Sequence, residues 1–124
     1  MPYNTDLADR LRQVLQHLNL KAGEVLGETK MFGGLCFTLN GKMLVGIDKD
    51  RLVVRLGDED FARESQAGRA LPMDLTGRPL RNFAFLCEGS FETEADVLNW
   101  AEMSARFVRE HMLNKSAKQG RKRR

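Results

Sequence analysis

Apolar positions near the start of the chain recur at intervals of three and four residues, which is typical of an amphipathic helix. These positions are Leu7, Leu11, Val14, Leu15 and Leu18. Asn4 or Thr5 is placed to cap the helix, and Asp6 would lie near its positive end. The pattern therefore predicts a helix over residues 5–18 with one apolar face.

The next apolar runs predict strands, because they are short and a turn sequence separates them. Asn40-Gly41 lies between two such runs, and both residues readily adopt the positive φ that a type I′ turn requires. With that turn, Phe37 pairs with Leu44. A second tight turn over residues 48–51 adds another antiparallel strand, so we expect consecutive hairpins.

These pairings divide the side chains of the predicted sheet between two faces, because residues directly opposite each other share a face. The face predicted to be the core contains Cys36, Thr38, Met43, Val45, Ile47, Leu52, Val54 and Leu56. The other face contains Leu35, Phe37, Leu39, Lys42, Leu44, Arg51, Val53 and Arg55. This second group is apolar at one end and basic at the other, so we expect another segment or a partner chain to cover half of it.

The segment after the third strand predicts a short helix and then an irregular arm. GDEDFARESQAG, residues 57–68, has Asp58 in a capping position, acidic residues in the first turn and a glycine after the end. Residues 69–81 contain two prolines and a glycine, which are unfavourable in a long regular element. We expect an extended arm here, with a turn at Thr76-Gly77.

The last predicted elements are a strand over residues 82–89 and a helix that ends near Leu113. Thr93 and Asp96 have the spacing of a capping box at the start of this helix. A helix followed by hairpin strands and further helices predicts an α+β domain. We expect an antiparallel sheet of about four or five strands, with helices at both ends of the chain.

Composition limits the classes of protein that the chain can belong to. No run approaches the ~20 apolar residues of a membrane span, so we expect no contact with a membrane. The first residues, MPYNTDLADRLRQ, mix acidic and basic side chains and lack the apolar region of a secretory signal. These features predict a cytoplasmic protein with one folded domain over residues 1–114.

Charge is distributed unevenly along the chain. The last ten residues, KSAKQGRKRR, contain six basic residues and no acidic one, whereas residues 1–114 contain 14 basic and 17 acidic residues. Such a segment cannot join a core, so we expect residues 115–124 to form a disordered tail. The tail would attract DNA or RNA non-specifically, or serve only to keep the protein soluble. The candidate nucleic-acid contacts are Lys118, Arg121, Lys122, Arg123 and Arg124.

Few residues suggest catalysis, a metal or a cofactor. The paired glycines at 33–34 precede a strand, so we interpret them as permitting a bulge or a close approach of a helix to the sheet, and not as a phosphate loop. Cys36 and Cys87 lie in apolar runs, where burial would leave them unreactive. His17 and His111 lack metal-ligand spacing. We therefore predict no catalytic residue, no metal and no cofactor.

The loop PMDLTGRPLR carries the best remaining candidates for a site. Asp74, Thr76, Arg78 and Arg81 place polar and charged groups between apolar strands, and such loops often bind ligands. The alternative is that Asp74 and Thr76 bond to the local backbone and stabilise the turn. A small enzyme that uses this loop is the third functional hypothesis.

Three segments together carry a family resemblance. KMFGGLCFTLNGKMLVGI, RLVVRLG and PMDLTGRPLRNFAFL, followed by a helix that contains Trp100, are similar to the N-terminal domain of the TfoX (Sxy) competence regulators. The resemblance extends from about Arg10 to Leu113. It implies a small α+β domain with a regulatory and not a catalytic role, because full-length members activate natural transformation genes in bacteria. Those regulators carry a second, helical domain, and we expect this chain to resemble single-domain members.

The sequence thus predicts a bacterial module that acts through protein contacts in transcriptional regulation. The predicted contact residues are Leu35, Phe37, Leu44, Arg51, Arg55, Asp74 and Arg78. The partner is either another protein or a second copy of the chain paired through the sheet. The alternative function is that of an accessory protein which binds nucleic acid through its basic tail.

Overall fold

The computed structural model describes residues 4–31, 34–74 and 79–113. Its elements are α1 (Thr5–Leu15), β1 (Leu26–Met31), β2 (Gly34–Leu39), β3 (Lys42–Asp48), β4 (Arg51–Arg55), α2 (Asp58–Gln66), β5 (Ala70–Asp74), β6 (Pro79–Leu86), α3 (Glu94–Val108) and a π-helical terminal turn (Arg109–Leu113). The strands of the described part of the chain form one antiparallel sheet in the order β1-β2-β3-β4-β6-β5. The predicted α+β fold is confirmed, although the sheet has six strands and not four or five.

The additional strand comes from the segment that was predicted to be an extended arm. Residues 70–74 form β5, and β6 begins at Pro79, three residues earlier than predicted. Pro72 lies in β5, which pairs only with β6 in the sheet order. A proline has no N–H to donate and is accommodated in an edge strand. The predicted turn at Thr76-Gly77 and the predicted tail over residues 115–124 lie outside the described residues.

The predicted N-terminal helix is confirmed, and its cap also ties it to the sheet. The Asn4 side-chain oxygen accepts a hydrogen bond from the Leu7 N–H at 3.0 Å. The Asn4 main-chain N–H donates to the Lys49 carbonyl oxygen at 2.9 Å, in the turn between β3 and β4. The start of α1 is therefore positioned by the sheet as well as by its own cap.

The predicted capping box at the start of α3 is also confirmed. The Thr93 hydroxyl accepts from the Asp96 N–H at 3.0 Å, and the Asp96 carboxylate accepts from the Thr93 N–H at 3.2 Å. The buried residues of α3 include Val97, Trp100, Ala101, Ala105 and Val108, as predicted. α3 packs on α1, β3 and β4, so the two helices cover one face of the sheet.

The β2–β3 hairpin has the predicted turn but a different register beyond it. Asn40 and Gly41 have φ values of 50° and 82°, as a type I′ turn requires. The pairs next to the turn keep the expected order, and then the register shifts so that Phe37 lies opposite Val45. Leu44 is therefore an extra residue in β3, and the predicted pairing of Phe37 with Leu44 is wrong.

This bulge changes the predicted assignment of side chains to the two faces. The helix-covered face receives Leu35, Phe37, Leu39, Leu44, Val45, Ile47, Leu52, Val54 and Leu56. The second face receives Cys36, Met43, Val53, Met73 and Phe85, with Phe83 packed against them. The predicted core positions of β4 are confirmed, whereas Cys36 and Met43 lie on the second face and not in the main core.

The predicted contact surface around Leu35, Phe37 and Leu44 is wrong for the same reason. These side chains retain 4%, 3% and 0% of their accessible surface and belong to the core under the helices. They are therefore not available to a partner of the folded protein. Their apolar character stabilises the domain through burial.

The predicted helical cap at Asp58 is also wrong. Gly57 occupies the cap position, and Asp58 is the first helical residue of α2. The Asp58 carboxylate instead accepts hydrogen bonds from Arg81 at 2.7 Å and from the Asn82 amide at 3.3 Å. Asn82 has a φ of 71°, and its amide also donates to the Leu56 carbonyl oxygen at 2.9 Å. Asp58 thus connects α2 to β6.

Gly34 shows why the second of the paired glycines is required. A Cβ atom at this position would overlap with the main-chain carbonyl oxygen of Ile47. We expected a bulge or a close approach of a helix to the sheet, whereas the close approach at Gly34 is between strands β2 and β3. Residue 33 lies outside the described residues. None of the helices in the described part of the chain is long and apolar enough to cross a membrane.

We predict that Gly34→Ala lowers the free energy of unfolding by about 2–3 kcal/mol, because the added methyl group forces β2 and β3 apart. Gly41→Ala is the control, since a Cβ there meets open space and only the φ of 82° is unfavourable, at a cost of about 1 kcal/mol. Urea unfolding followed by Trp100 fluorescence measures both. An equal or smaller loss in Gly34→Ala would contradict the steric explanation.

Candidate functional site

Two neighbouring cavities share a wall formed by Arg55 and Met112. The first, which we call the polar cleft, has a volume of about 680 Å³ and is lined by Asp58, Asp60, Arg81, Arg106 and His111, among others. The second, which we call the apolar cavity, has a volume of about 520 Å³ and is lined mainly by Cys36, Met43, Val53, Met73, Leu80 and Phe83. The apolar cavity lies on the second face of the sheet.

The charges of the polar cleft are largely paired with one another. Arg81 donates to Asp58 at 2.7 Å, and Arg106 donates to Asp60 at 2.8 Å. The hydrogen bond from Arg81 lowers the pKa of Asp58 below its ordinary value. Asp58 therefore stays ionised near neutral pH, and each of the two carboxylates is already paired with an arginine.

Arg55 carries a different kind of charge. Its Nε donates to the Met43 carbonyl oxygen at 2.7 Å, and its guanidinium carbon lies 4.5 Å from the centre of the Phe83 ring. Burial lowers the pKa of Arg55. Within the described residues, no carboxylate forms an ion pair with it. Arg55 thus brings a partly desolvated positive charge to the edge of an apolar cavity.

Arg51 lies on the same strand, four residues away, and has a carboxylate partner. Its guanidinium carbon is 3.7 Å from the centre of the Phe85 ring, and its Nη2 lies 3.1 Å from an Asp48 oxygen. Both predicted arginines therefore lie on the second face, and each covers an aromatic ring. Arg51 is the more exposed of the two.

An exposed apolar side chain extends this surface to the edge of the sheet. Leu71 in β5 lies opposite Phe85 in β6, so it shares the second face, and it retains 54% of its accessible surface. We call Arg51, Leu71 and Phe85 together the β5 edge patch. Leucine and aromatic surface next to an arginine is typical of protein contact sites.

The structure brings together only part of the predicted site. Arg51 and Arg55 lie on the second face, whereas Leu35, Phe37 and Leu44 lie in the core. The backbone of Asp74 ends β5, but its side chain, Arg78 and the basic tail lie outside the described residues. The third hypothesis, an enzyme that uses the loop from Asp74 to Arg81, rests largely on the same undescribed segment.

The residues that the sequence analysis missed are those supplied by β5 and β6. Phe83 and Phe85 alternate along β6 and so share a face, but only the pairing of Val53 with Phe85 places that face beside the arginines of β4. Met73 was missed because its strand was predicted to be an irregular arm. The alternation of Leu71 and Met73 around Pro72 is the signal that would have indicated an edge strand.

The cysteine prediction is confirmed for one residue only. Cys36 is buried in the wall of the apolar cavity, and burial raises the pKa of its thiol, whereas Cys87 is half-buried. The thiol of Cys36 is therefore protonated near neutral pH and contributes apolar surface. In the described ranges, no three residues among His, Cys, Asp and Glu form a group that could hold a metal ion.

The fold and the two cavities define a small α+β domain with helices over one face of an antiparallel sheet. The chain matches the model of the TfoX N-terminal domain family over residues 19–108. This match covers most of the chain, which therefore belongs to the TfoX N-terminal domain family. No curated protein and no solved structure gives a significant match.

An ion pair positions the terminal turn that closes both cavities. Arg109 donates through Nε and Nη2 to the two carboxylate oxygens of Glu24, each at 2.9 Å. The same Nη2 donates to the Asn19 carbonyl oxygen at 2.9 Å. The Glu24 side chain is only 8% exposed. Because Met112 belongs to this turn and lines both cavities, the pair helps to fix their shared wall.

We predict that Glu24→Gln lowers the free energy of unfolding by about 1–3 kcal/mol near neutral pH, because Arg109 loses a charged acceptor. The hydrogen bond from Arg109 lowers the pKa of Glu24 from 4.5. Stability from this group is therefore present above the ordinary pKa and is lost as the pH falls through the lowered folded-state pKa. Urea unfolding at several pH values should show the variant and the parent protein converging in acid.

Glu28→Gln is the matched control for this prediction. Glu28 forms an ion pair with Arg12 at 2.7 Å, but both side chains are 40% exposed. Exposed pairs contribute only about 0–1 kcal/mol, so this variant should lose less stability than Glu24→Gln. If the two variants lose equal stability, the Glu24–Arg109 pair has no special role in holding the terminal turn.

Proposed function

We propose that this domain is a cytoplasmic, non-enzymatic regulatory module that acts through protein contacts in bacterial transcription. Membership of the TfoX N-terminal domain family supports a regulatory role in general. The β5 edge patch supports the mode of action, because its Leu71 is exposed and lies opposite Phe85, whose ring is covered by an arginine. The proposed contact surface therefore moves from Leu35, Phe37 and Leu44 to this patch.

The observation that carries the proposal is the exposure of Leu71 beside Phe85 and Arg51. The Arg51 guanidinium already lies against the Phe85 ring, so little of its conformational freedom remains to be lost on binding. Arginine and aromatic residues often dominate the energetics of protein interfaces. Pro72 removes one N–H from the open edge of β5, so side-chain contact is favoured over the addition of a strand from the partner.

We predict that Leu71→Asp reproduces the transcriptional effect of deleting the gene, because a charge at the centre of the patch is costly to desolvate. RNA sequencing of the native host would compare the parent strain, the deletion and the variant. Val25→Asp is the control, since Val25 is equally apolar and 67% exposed but precedes β1. We expect the control strain to resemble the parent.

Two outcomes would contradict this proposal at different levels. The strains are grown under conditions chosen for the expression of natural transformation genes. If the transcripts of the deletion strain equal those of the parent strain there, the regulatory role is ruled out under those conditions. A deletion effect that Leu71→Asp does not reproduce would leave the role in place and rule out the β5 edge patch. The unfolding curve of Leu71→Asp, compared with that of the parent protein, excludes loss of folding as the cause.

The basic tail supports a second candidate function, non-specific binding of nucleic acid. Six of the last ten residues are Lys or Arg, with no acidic residue among them. Each phosphate that these side chains neutralise would add about −0.9 to the slope of log affinity against log salt concentration. Affinity that depends only weakly on sequence is expected, because phosphate contacts do not distinguish bases.

We predict that duplex DNA binds the full chain with a steep salt dependence that disappears when the tail is neutralised. The variant replaces Lys118, Arg121, Lys122, Arg123 and Arg124 by glutamine and retains the length of the chain. Fluorescence anisotropy at two salt concentrations measures binding. Equal affinity of the parent and the variant would rule out the tail as the binding segment.

A further inference from the structure

The apolar cavity has the dimensions and the lining of a small-molecule site. Its volume of about 520 Å³ lies within the range of about 300–1,000 Å³ that is common for such sites. Met43, Val53, Met73 and Phe83 are among the apolar residues that line it. Methionine side chains adapt readily to the shape of a ligand, so two of them in one wall favour binding of a flexible apolar group.

Arg55 is the polar group that determines which charged group such a ligand must carry. A guanidinium has five N–H donors, and within the described residues only the Nε of Arg55 has an acceptor, the Met43 carbonyl oxygen. The terminal nitrogens therefore retain hydrogen-bonding capacity at the boundary between the two cavities. A carboxylate stabilises a half-buried guanidinium, because its two oxygens can accept two parallel hydrogen bonds from the guanidinium nitrogens.

The other charged groups around the cavity favour a single negative charge. Lys42 and Asp48 also line it, and Asp48 is paired with Arg51 at 3.1 Å. Arg55, Lys42 and Asp48 together give the lining one net positive charge, so a doubly charged phosphate would be only half neutralised and would lie near the Asp48 carboxylate. A monocarboxylate matches the charge of Arg55 and leaves the remainder of the ligand to the apolar walls.

We propose that the apolar cavity binds a small monocarboxylate with an apolar body. The carboxylate would lie against the terminal nitrogens of Arg55, and the body would pack on Met43, Met73 and Phe83. This site is separate from the β5 edge patch and requires no protein partner. It therefore goes beyond the proposed regulatory contact and can be tested independently of it.

Isothermal titration calorimetry of the full chain with decanoate and with naphthoate tests the proposal. We expect at least one of these acids to bind, and decanol to bind at least about tenfold more weakly than decanoate because it cannot pair with the guanidinium. Arg55→Gln should weaken binding of the acid by about tenfold or more, and Arg55→Lys by less. No binding of either acid, or equal binding of decanol and decanoate, would overturn the proposal.

Arg81→Gln is the matched control, because Arg81 lines the polar cleft and does not line the apolar cavity. We expect its affinity for the acid to equal that of the parent protein. A loss of binding in Arg81→Gln with none in Arg55→Gln would place the anion in the polar cleft and overturn the assignment. Urea unfolding of each variant confirms that it is folded before binding is measured.

A measurement on the parent protein avoids dependence on any variant. The methyl signals of carbon-13-labelled methionines report ligand binding directly, and Met43 and Met73 line the cavity, whereas Met103 lies in the core under the helices. Addition of the acid should shift the signals of Met43 and Met73 and leave that of Met103 unchanged. Shifts confined to Met103, or none, would overturn the proposed location.

Discussion

The extra residue in β3 is the constraint on which the two faces of the sheet depend. Side chains alternate along a strand, so a shift of one residue moves every following side chain to the opposite face. With Leu44 inserted, Leu35, Phe37 and Leu39 of β2 point towards the helices, while Cys36 and Met43 point away. The main core, the apolar cavity and the loss of the expected contact surface all follow from this one bulge.

The two faces of the sheet are covered in different ways. Helices α1 and α3 cover one face with apolar side chains that are almost completely buried. On the other face, the guanidinium groups of Arg51 and Arg55 lie across the rings of Phe85 and Phe83. Arginine can cover an apolar surface with its stem and ring-facing plane while its charge remains close to water. The apolar side chains of the second face, from Cys36, Met43, Val53, Met73 and Phe85, retain 9% or less of their accessible surface, and the two arginines contribute to that cover.

The approach of β2 to β3 on the second face also depends on a residue without a side chain. A Cβ at Gly46 would lie 2.9 Å from the Met43 methyl carbon and 3.3 Å from the Cys36 sulfur. Both of those side chains line the apolar cavity. The absence of a side chain at Gly46 thus leaves them the positions from which they form the cavity wall.

Local signals in the sequence were sufficient for the helices and for the first turn. The cap at Asn4, the capping box at Thr93 and the Asn40-Gly41 turn each involve residues within a few positions of one another. The bulge at Leu44 was not predictable in this way, because the packing of α1 and α3 on the sheet selects the side chains that turn inwards. Long-range pairing likewise decided the role of Asp58, whose partner Arg81 lies on another element.

The candidate site was predictable only as far as one strand could show it. Arg51 and Arg55 are separated by an even number of positions in β4, so their common face was evident from the sequence. The apolar partners of these arginines come from β5 and β6, which are separated from β4 by the whole of α2. No local pattern indicates that Val53 pairs with Phe85, and a cavity between such distant residues appears only in the folded chain.

The strand order has a consequence for folding of the chain during translation. Each of the strands β1 to β4 pairs with the strand that precedes or follows it in the sequence. These pairs can form as soon as the strands leave the ribosomal exit tunnel, because their contacts are close along the chain. β6 inserts between β4 and β5 only after both α2 and β5 have been synthesised. α3, which covers the main core, is made later still. The nascent four-stranded meander must therefore keep part of its apolar surface in contact with water until α3 has been synthesised.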